Sequence, residues 1–211
     1  MSDAIDILYQ DDDLLILNKP AGLLTVPGKG PEKQDCLINR AIRFNPNARV
    51  VHRLDQGTSG LVMIPLNYQT LRTLTRQFEG RGIHKRYQAV VSGLLEKDEG
   101  EVDLPLICDW PNRPLQKVCF EQGKAALTRY QVVSRDTSRG TTRVELEPVS
   151  GRTHQLRVHM LSLGHPIVGD QLYAPPAIQA MAPRLLLHAS HLQLRHPITG
   201  IEVSIHCPPE F

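Results

Sequence analysis

VVHRLDQGTSGLVMIPL, residues 50–66, is the stretch from which the rest of the chain can be read. If VVHRLD is extended, Arg53 and Asp55 point to one side and Leu54 to the other, into a core. QGTSG then turns the chain, and LVMIPL (61–66) returns it as a buried strand. The construction would present a single carboxylate from a rigid edge, the setting a reactive group needs. The plainer reading is a turn aspartate that caps the Thr58 or Ser59 amides or pairs with Arg53. Spacing alone favours the plainer reading.

Working outward, ILYQ (7–10), the DDD turn and LLIL (14–17) predict a hairpin that enters a sheet. NKPAGLLTVPGKGP (18–31) carries three prolines and three glycines around a short apolar patch, so a structured loop is expected. Residues 68–82 read as a helix with Leu71, Leu74 and Phe78 on one face and glycines at its end. RYQAVVSGLL (86–95) is rich in strand formers, and alternation in RVELEP (143–148), LQLR (192–195) and IEVSI (201–205) marks half-buried strands. GRTHQLRVHMLSLG (151–164) predicts a second helix, with Thr153 as N-cap, Gly164 as stop, and Leu156, Met160 and Leu163 as its apolar face. His154 and Arg157 lie together on another face of it. Many strands, two or three helices and hairpin connections predict an α+β fold with a mainly antiparallel sheet, in one catalytic domain spanning 1–211.

Composition limits the function classes. The 211 residues are 41% hydrophobic and 22% charged, ordinary for a globular chain. MSDAIDILYQDDD lacks the basic and apolar regions of a signal peptide, and no apolar run approaches the ~18 residues that span a bilayer. A cytoplasmic location is expected. Cys36, Cys108, Cys119 and Cys207 are scattered and form no C-x-x-C pair, so reduced thiols are expected. Among nine histidines there is no H-E-x-x-H, and His154 and His159 are five apart, off a common helical face. No metal is expected.

The net charge of +2 hides an asymmetry. Residues 1–13 hold five acids and no Lys or Arg, and residues 96–103 hold five acids and one Lys. Outside them stand 23 basic and 12 acidic residues, and 17 of the 24 basic residues in the chain are Arg. Arginine forks onto phosphates and stacks on bases, which suits an RNA partner; a solvated basic surface is the competing reading.

Three further elements could carry chemistry. Burial raises a carboxylate's pKa and a neighbouring guanidinium opposes that, so a lone reactive carboxylate calls for an arginine; Arg157 on its helix is the candidate, with His154 beside it. Tyr87, in KRYQ (85–88), offers a flat ring for stacking on a base and a hydroxyl for proton transfer, although a half-buried strand tyrosine is commoner. CDWPNRPLQKVC (108–119) surrounds Trp110 with Arg113 and Lys117, which suits RNA contact; a Trp110 buried under the loop is the alternative.

NKPAGLLTVPG, HRLDQGTSGL, KRYQAVV and PVSGRTHQLRVHM, in this order, resemble the RluA family of RNA pseudouridine synthases, from Ile7 to the end of the chain. DLPLICDWPNRPLQKVCFEQGKAALT (103–128) and GHPIVGDQLYA (164–174) are similar to the bacterial members that act on both tRNA and 23S rRNA. The resemblance implies the pseudouridine synthase fold with an active-site cleft across the sheet, no S4-type domain, no cofactor and no metal. It implies Asp55 as the catalytic aspartate, Arg157 as its arginine and Tyr87 as the tyrosine that stacks on the base and takes the C5 proton. Arg53 would fill the gap left by an extruded base, and His52, His154, Trp110, Arg113 and Lys117 are further candidates for substrate contact. The implied targets are the tRNA anticodon loop at position 32 and 23S rRNA at position 746, with the protein acting as a monomer. Two other classes stand beside this reading. An RNA chaperone would keep the fold without chemistry. An aspartate-dependent glycosidase would require a second carboxylate, which these motifs do not supply.

Overall fold

The structure is a computed structural model that describes residues 4–211. In chain order the elements are β1 (Asp6–Gln10), β2 (Leu14–Lys19), α1 (Leu37–Phe44), β3 (Ser59–Pro65), α2 (Tyr68–Glu79), β4 (His84–Ser92), β5 (Glu99–Asp103) and β6 (Leu106–Cys108). They continue with β7 (Gln116–Val118), β8 (Leu127–Asp136), β9 (Thr141–Pro148), α3 (Gln155–Ser162), α4 (Pro176–Gln179), β10 (Leu187–Arg195) and β11 (Glu202–His206). The chain divides into two compact units, one of residues 1–85 with 188–210 and one of 86–187 with Phe211.

In the first unit, β1 pairs antiparallel with β2 and β2 with β3, and β11 pairs antiparallel with β10. β3 and β10 run parallel through His188–Ser59 and Ala189–Gly60. All of β3 and Leu14–Leu17 of β2 are buried, as their unbroken apolar runs require. The TSG of the opening stretch has a local reason here. Gly60 adopts φ 106°, and a Cβ there would come within 2.3 Å of the Ala189 carbonyl oxygen, so only glycine lets β10 approach. Asn67 caps α2 by accepting from the Thr70 amide at 2.8 Å. Helix α1 was not expected from the sequence. It starts at Cys36 without a side-chain cap and buries Leu37, Ile38 and Ala41 on one face.

The second unit carries a fully antiparallel ladder in which β4 pairs with β9, β9 with β8, and β8 with β5. Its core gathers Ala89, Val91, Val144 and Leu146 from the strands with Leu156 and Met160 from α3, and Tyr87 packs partly against it. The CDWPNRPLQKVC segment is more ordered than a loop: β6 and β7 form a small hairpin around a turn of 3-10 helix at Trp110–Asn112. The α+β class and the antiparallel ladders agree with the sequence reading.

Two local expectations are corrected. VVHRLD (50–55) is not a strand: the Leu54 amide and carbonyl both bond the Thr25 hydroxyl and the Asp55 carbonyl closes its own turn; Leu54 is nevertheless buried and Arg53 exposed, as alternation required. Thr153 is not the N-cap of α3. His154 takes that position in a left-handed conformation (φ 54°), and the Gln155 side chain reaches back to accept from the Arg152 amide at 3.0 Å. Gly164 ends the helix with φ 82° as expected. Of the apolar face, Leu156 and Met160 are buried but Leu163 is exposed, while Arg157 and His159 are buried.

Candidate active site

In the first unit Asp55 sits on an irregular turn held from several directions. Its own carbonyl accepts from the Thr58 amide at 3.1 Å, which closes the turn. On the N-terminal side, Thr25 and Leu54 exchange hydrogen bonds: the Thr25 hydroxyl donates to the Leu54 carbonyl at 2.8 Å and accepts from the Leu54 amide at 3.1 Å. On the C-terminal side, Gln56 and Gly22 do the same, the Gly22 amide donating to the Gln56 carbonyl at 2.8 Å and Gln56 Nε2 to the Gly22 carbonyl at 3.1 Å. Lys19, fully buried, closes the arrangement. Its ammonium donates to the carbonyls of Pro20, Leu23 and Gln56 at 2.9, 2.7 and 3.3 Å. The loop 19–25 therefore acts as a mould for 54–56, and the Asp55 backbone has one available course.

His52 is part of the same support. Its Nε2 accepts from the Met63 amide at 2.9 Å, and its ring packs on Phe78 with centroids 5.3 Å apart. Burial, reinforced by the charge of Lys85, pushes its pKa down to about 3, so it is neutral at physiological pH. These contacts fix the orientation of the ring beside the turn. Ser59, at the end of the turn, bonds His188 Nδ1 at 2.8 Å, and His188 Nε2 donates to the Cys207 carbonyl at 2.9 Å.

In the second unit Arg157 is 94% buried on α3 and clamped by a carboxylate that the sequence reading missed. Its Nε donates to Asp170 Oδ2 at 2.8 Å and one terminal nitrogen to Oδ1 at 2.6 Å, a two-point fork. Asp170 Oδ1 also accepts from the amides of Leu172 and Tyr173. The Tyr173 ring lies 5.0 Å from the Arg157 guanidinium carbon, and its hydroxyl is 2.6 Å from His154 Nδ1. That hydroxyl also accepts from the Gln116 amide of β7 at 2.8 Å. His154 and Arg157 are thus brought together by Tyr173 rather than by a shared helical face. His159 turns the other way, bonded to Thr128 and the Leu104 carbonyl; burial lowers its pKa and makes it a core histidine.

Tyr87 lies opposite Leu146 in the β4–β9 ladder, half-buried. Trp110 is not buried under its loop: it is 64% exposed on the hairpin, with the Arg113 guanidinium 4.5 Å above its ring. Lys117 is paired with Asp109 at 3.1 Å, and hydrogen bonds from Asn112 and Lys117 lower the Asp109 pKa. Among the described residues, Asp11, Asp13 and His196 form a trio close enough to hold a cation. His196 Nδ1 accepts from the Thr199 amide at 3.1 Å, and its Nε2 lies 2.9 Å from an Asp11 carboxylate oxygen. Among the described residues, no helix is long and apolar enough to cross a membrane.

A turn-borne carboxylate, a strand tyrosine and a buried helical arginine coincide with a family match. The family model of RNA pseudouridylate synthases matches residues 13–162. The chain belongs to that family, and its activity class is the family's: an isomerase that converts uridine in RNA to pseudouridine. Among individual relatives, the dual-specificity RNA pseudouridine synthase RluA of Yersinia pestis is 54% identical over 97% of this chain and 99% of its own length. Its counterpart from Escherichia coli strain K12 is 53% identical over 97% of this chain and 93% of its own. The solved structure of human RNA Pseudouridylate Synthase Domain Containing 1 is similar with a TM-score of 0.82 and 28% identity, over 99% of this chain and 85% of that one.

Lys19, Thr25, Gln56, Asp170 and Tyr173 were not singled out from the sequence. For Asp170 a signal existed: an acid inside the apolar run PIVGDQLY, which demands a buried cationic partner. Nothing in the spacing named Arg157 as that partner.

Proposed function

We propose that this enzyme isomerises uridines in tRNA and in 23S rRNA, at anticodon-loop position 32 and at position 746, with Asp55, Tyr87 and Arg157 as its catalytic residues. The observation that carries the substrate choice is the near-full-length identity with dual-specificity relatives. The reaction breaks the N1–C1′ bond, turns the uracil and joins C5 to C1′. It is balanced within the nucleotide and draws on no outside group.

Asp55 is the group that acts on the nucleotide, and the mould around 54–56 supports that role because it fixes where a carboxylate can stand. Arg157 is the buried cation of the proposed set. Tyr87 stacks on the flipped uracil and takes the C5 proton. The target carbons are buried in a stacked helix, so the nucleotide must first leave the stack at a cost of a few kcal/mol. Base–aromatic stacking can return roughly 1–3 kcal/mol, and Arg53, exposed beside Asp55, would occupy the vacated space. A loop uridine is cheaper to extrude than a paired one, which favours hairpin loops. Trp110 and Arg113 on the β6–β7 hairpin, together with Lys117, supply further RNA contact. Activity as a monomer is expected, in the cytoplasm where these RNAs are used.

Carbodiimide primer-extension mapping of total RNA from cells with and without the protein tests the targets. Stops that disappear at both positions support dual specificity. A stop lost at another loop would keep the chemistry and replace the substrate.

A further inference from the structure

We propose that Asp170 is a positioning residue of the isomerisation: it fixes the guanidinium of Arg157 in one orientation, with Tyr173 as the second wall. This rests on the catalytic role proposed for Arg157. An arginine has several rotatable bonds, and a guanidinium that must face a reacting group from one direction needs more than burial to hold it. Asp170 supplies a carboxylate that is 1% exposed and engages two nitrogens of the same guanidinium at 2.8 and 2.6 Å. The carboxylate itself cannot swing, because its Oδ1 accepts from the Leu172 and Tyr173 amides at 2.9 and 3.2 Å.

The backbone ahead of it is fixed as well. Gly169 adopts φ 76°, and a Cβ there would fall within 1.9 Å of the Arg184 carbonyl oxygen, so the segment admits only glycine. Tyr173 then closes the face of the guanidinium that Asp170 leaves open. Its hydroxyl is committed to His154 on one side and to the Gln116 amide on the other. The Asp170 fork engages Nε and one terminal nitrogen, which fixes the plane and direction of the whole guanidinium. The geometry therefore turns a flexible cation into a directed one, which is what catalysis by a positioned charge requires.

The test compares single-turnover rates on tRNA isolated from cells lacking the protein, with enzyme in excess. Asp170→Asn, Arg157→Lys and the double variant are measured beside the unaltered enzyme. Asp170→Asn is expected to slow pseudouridine formation 10- to 100-fold at saturating enzyme, while RNA affinity changes less than threefold. Because Asp170 acts through Arg157, the double variant should be little slower than Arg157→Lys alone. Losses that multiply, or an Asp170→Asn rate equal to that of the unaltered enzyme, would overturn the proposal. If Asp170→Asn does not fold, Asp170→Glu keeps the charge and takes its place. Glu at this position displaces the fork by one methylene, so a slowed rate with unchanged RNA affinity supports the proposal and an unchanged rate sinks it. An unaltered enzyme that forms no pseudouridine on any RNA would remove the catalytic reading of Arg157, and this proposal with it.

Discussion

The two units hold their key side chains by different means. In the first, Asp55 lies on backbone without regular structure, and other backbone moulds it: the carbonyls of Pro20, Leu23 and Gln56 gather on one buried ammonium, and Thr25 and Gly22 lock the residues on either side. In the second, Arg157 lies on a regular helix, and its side chain is fixed by another side chain, the Asp170 carboxylate. A short side chain such as Asp is positioned once its Cα is positioned. A long one such as Arg is not, and needs a clamp at its far end. Rigidity is placed where each residue would otherwise have freedom.

That contrast can be broken. The largest effect is expected at the end of the long side chain. Arg157→Ala should lower single-turnover pseudouridine formation at least 100-fold with RNA bound; it also leaves the Asp170 carboxylate buried without its guanidinium, so the melting temperature should fall as well. Retained turnover would remove Arg157 from the chemistry.

The backbone mould is expected to fail differently. Lys19→Met should destabilise the first unit by roughly 2–3 kcal/mol, because a buried ammonium leaves carbonyls unsatisfied when it is removed. Denaturant unfolding of the purified variant measures this, and stability unchanged within error would show that the 54–56 turn needs no ammonium beneath it.

The smallest effect is one of pH. His52 is held neutral down to about pH 3 in the fold, whereas an unfolded histidine takes a proton near 6.5. Below that pH the unfolded chain gains a proton the folded chain refuses, so stability falls as pH drops from 7 towards 4, and His159 acts in the same direction. A melting temperature on the order of 4–8 °C lower at pH 5 than at pH 7 is expected, partly flattened in His52→Asn. A slope identical in His52→Asn would mean that this ring does not carry the effect.

Much of the fold was legible because it is written in short-range patterns. Alternation gave β9, β10 and β11, the acid-rich turn gave the β1–β2 hairpin, and the glycines after Phe78 and at Gly164 ended α2 and α3 close to where they end. Helix α1 was missed because Cys36 carries no capping signal and the preceding loop is crowded with proline and glycine. VVHRLD (50–55) reads as extended because burial alternates at Arg53 and Leu54, yet it pairs with no ladder. Asp55, Tyr87 and Arg157 become candidates only through the resemblance, since spacing alone favoured a turn and a half-buried strand. The clamps were not legible at all: Lys19 meets Gln56 across 37 residues and Arg157 meets Asp170 across 13, and no local rule links either pair.

The most direct measurement is pseudouridine formation by Asp55→Asn, with RNA binding recorded on the same preparation. The change keeps the size of the side chain and the hydrogen bonds of the turn's backbone while removing the carboxylate. The account predicts no detectable pseudouridine with RNA affinity within tenfold of the unaltered enzyme. Turnover retained by Asp55→Asn would contradict it.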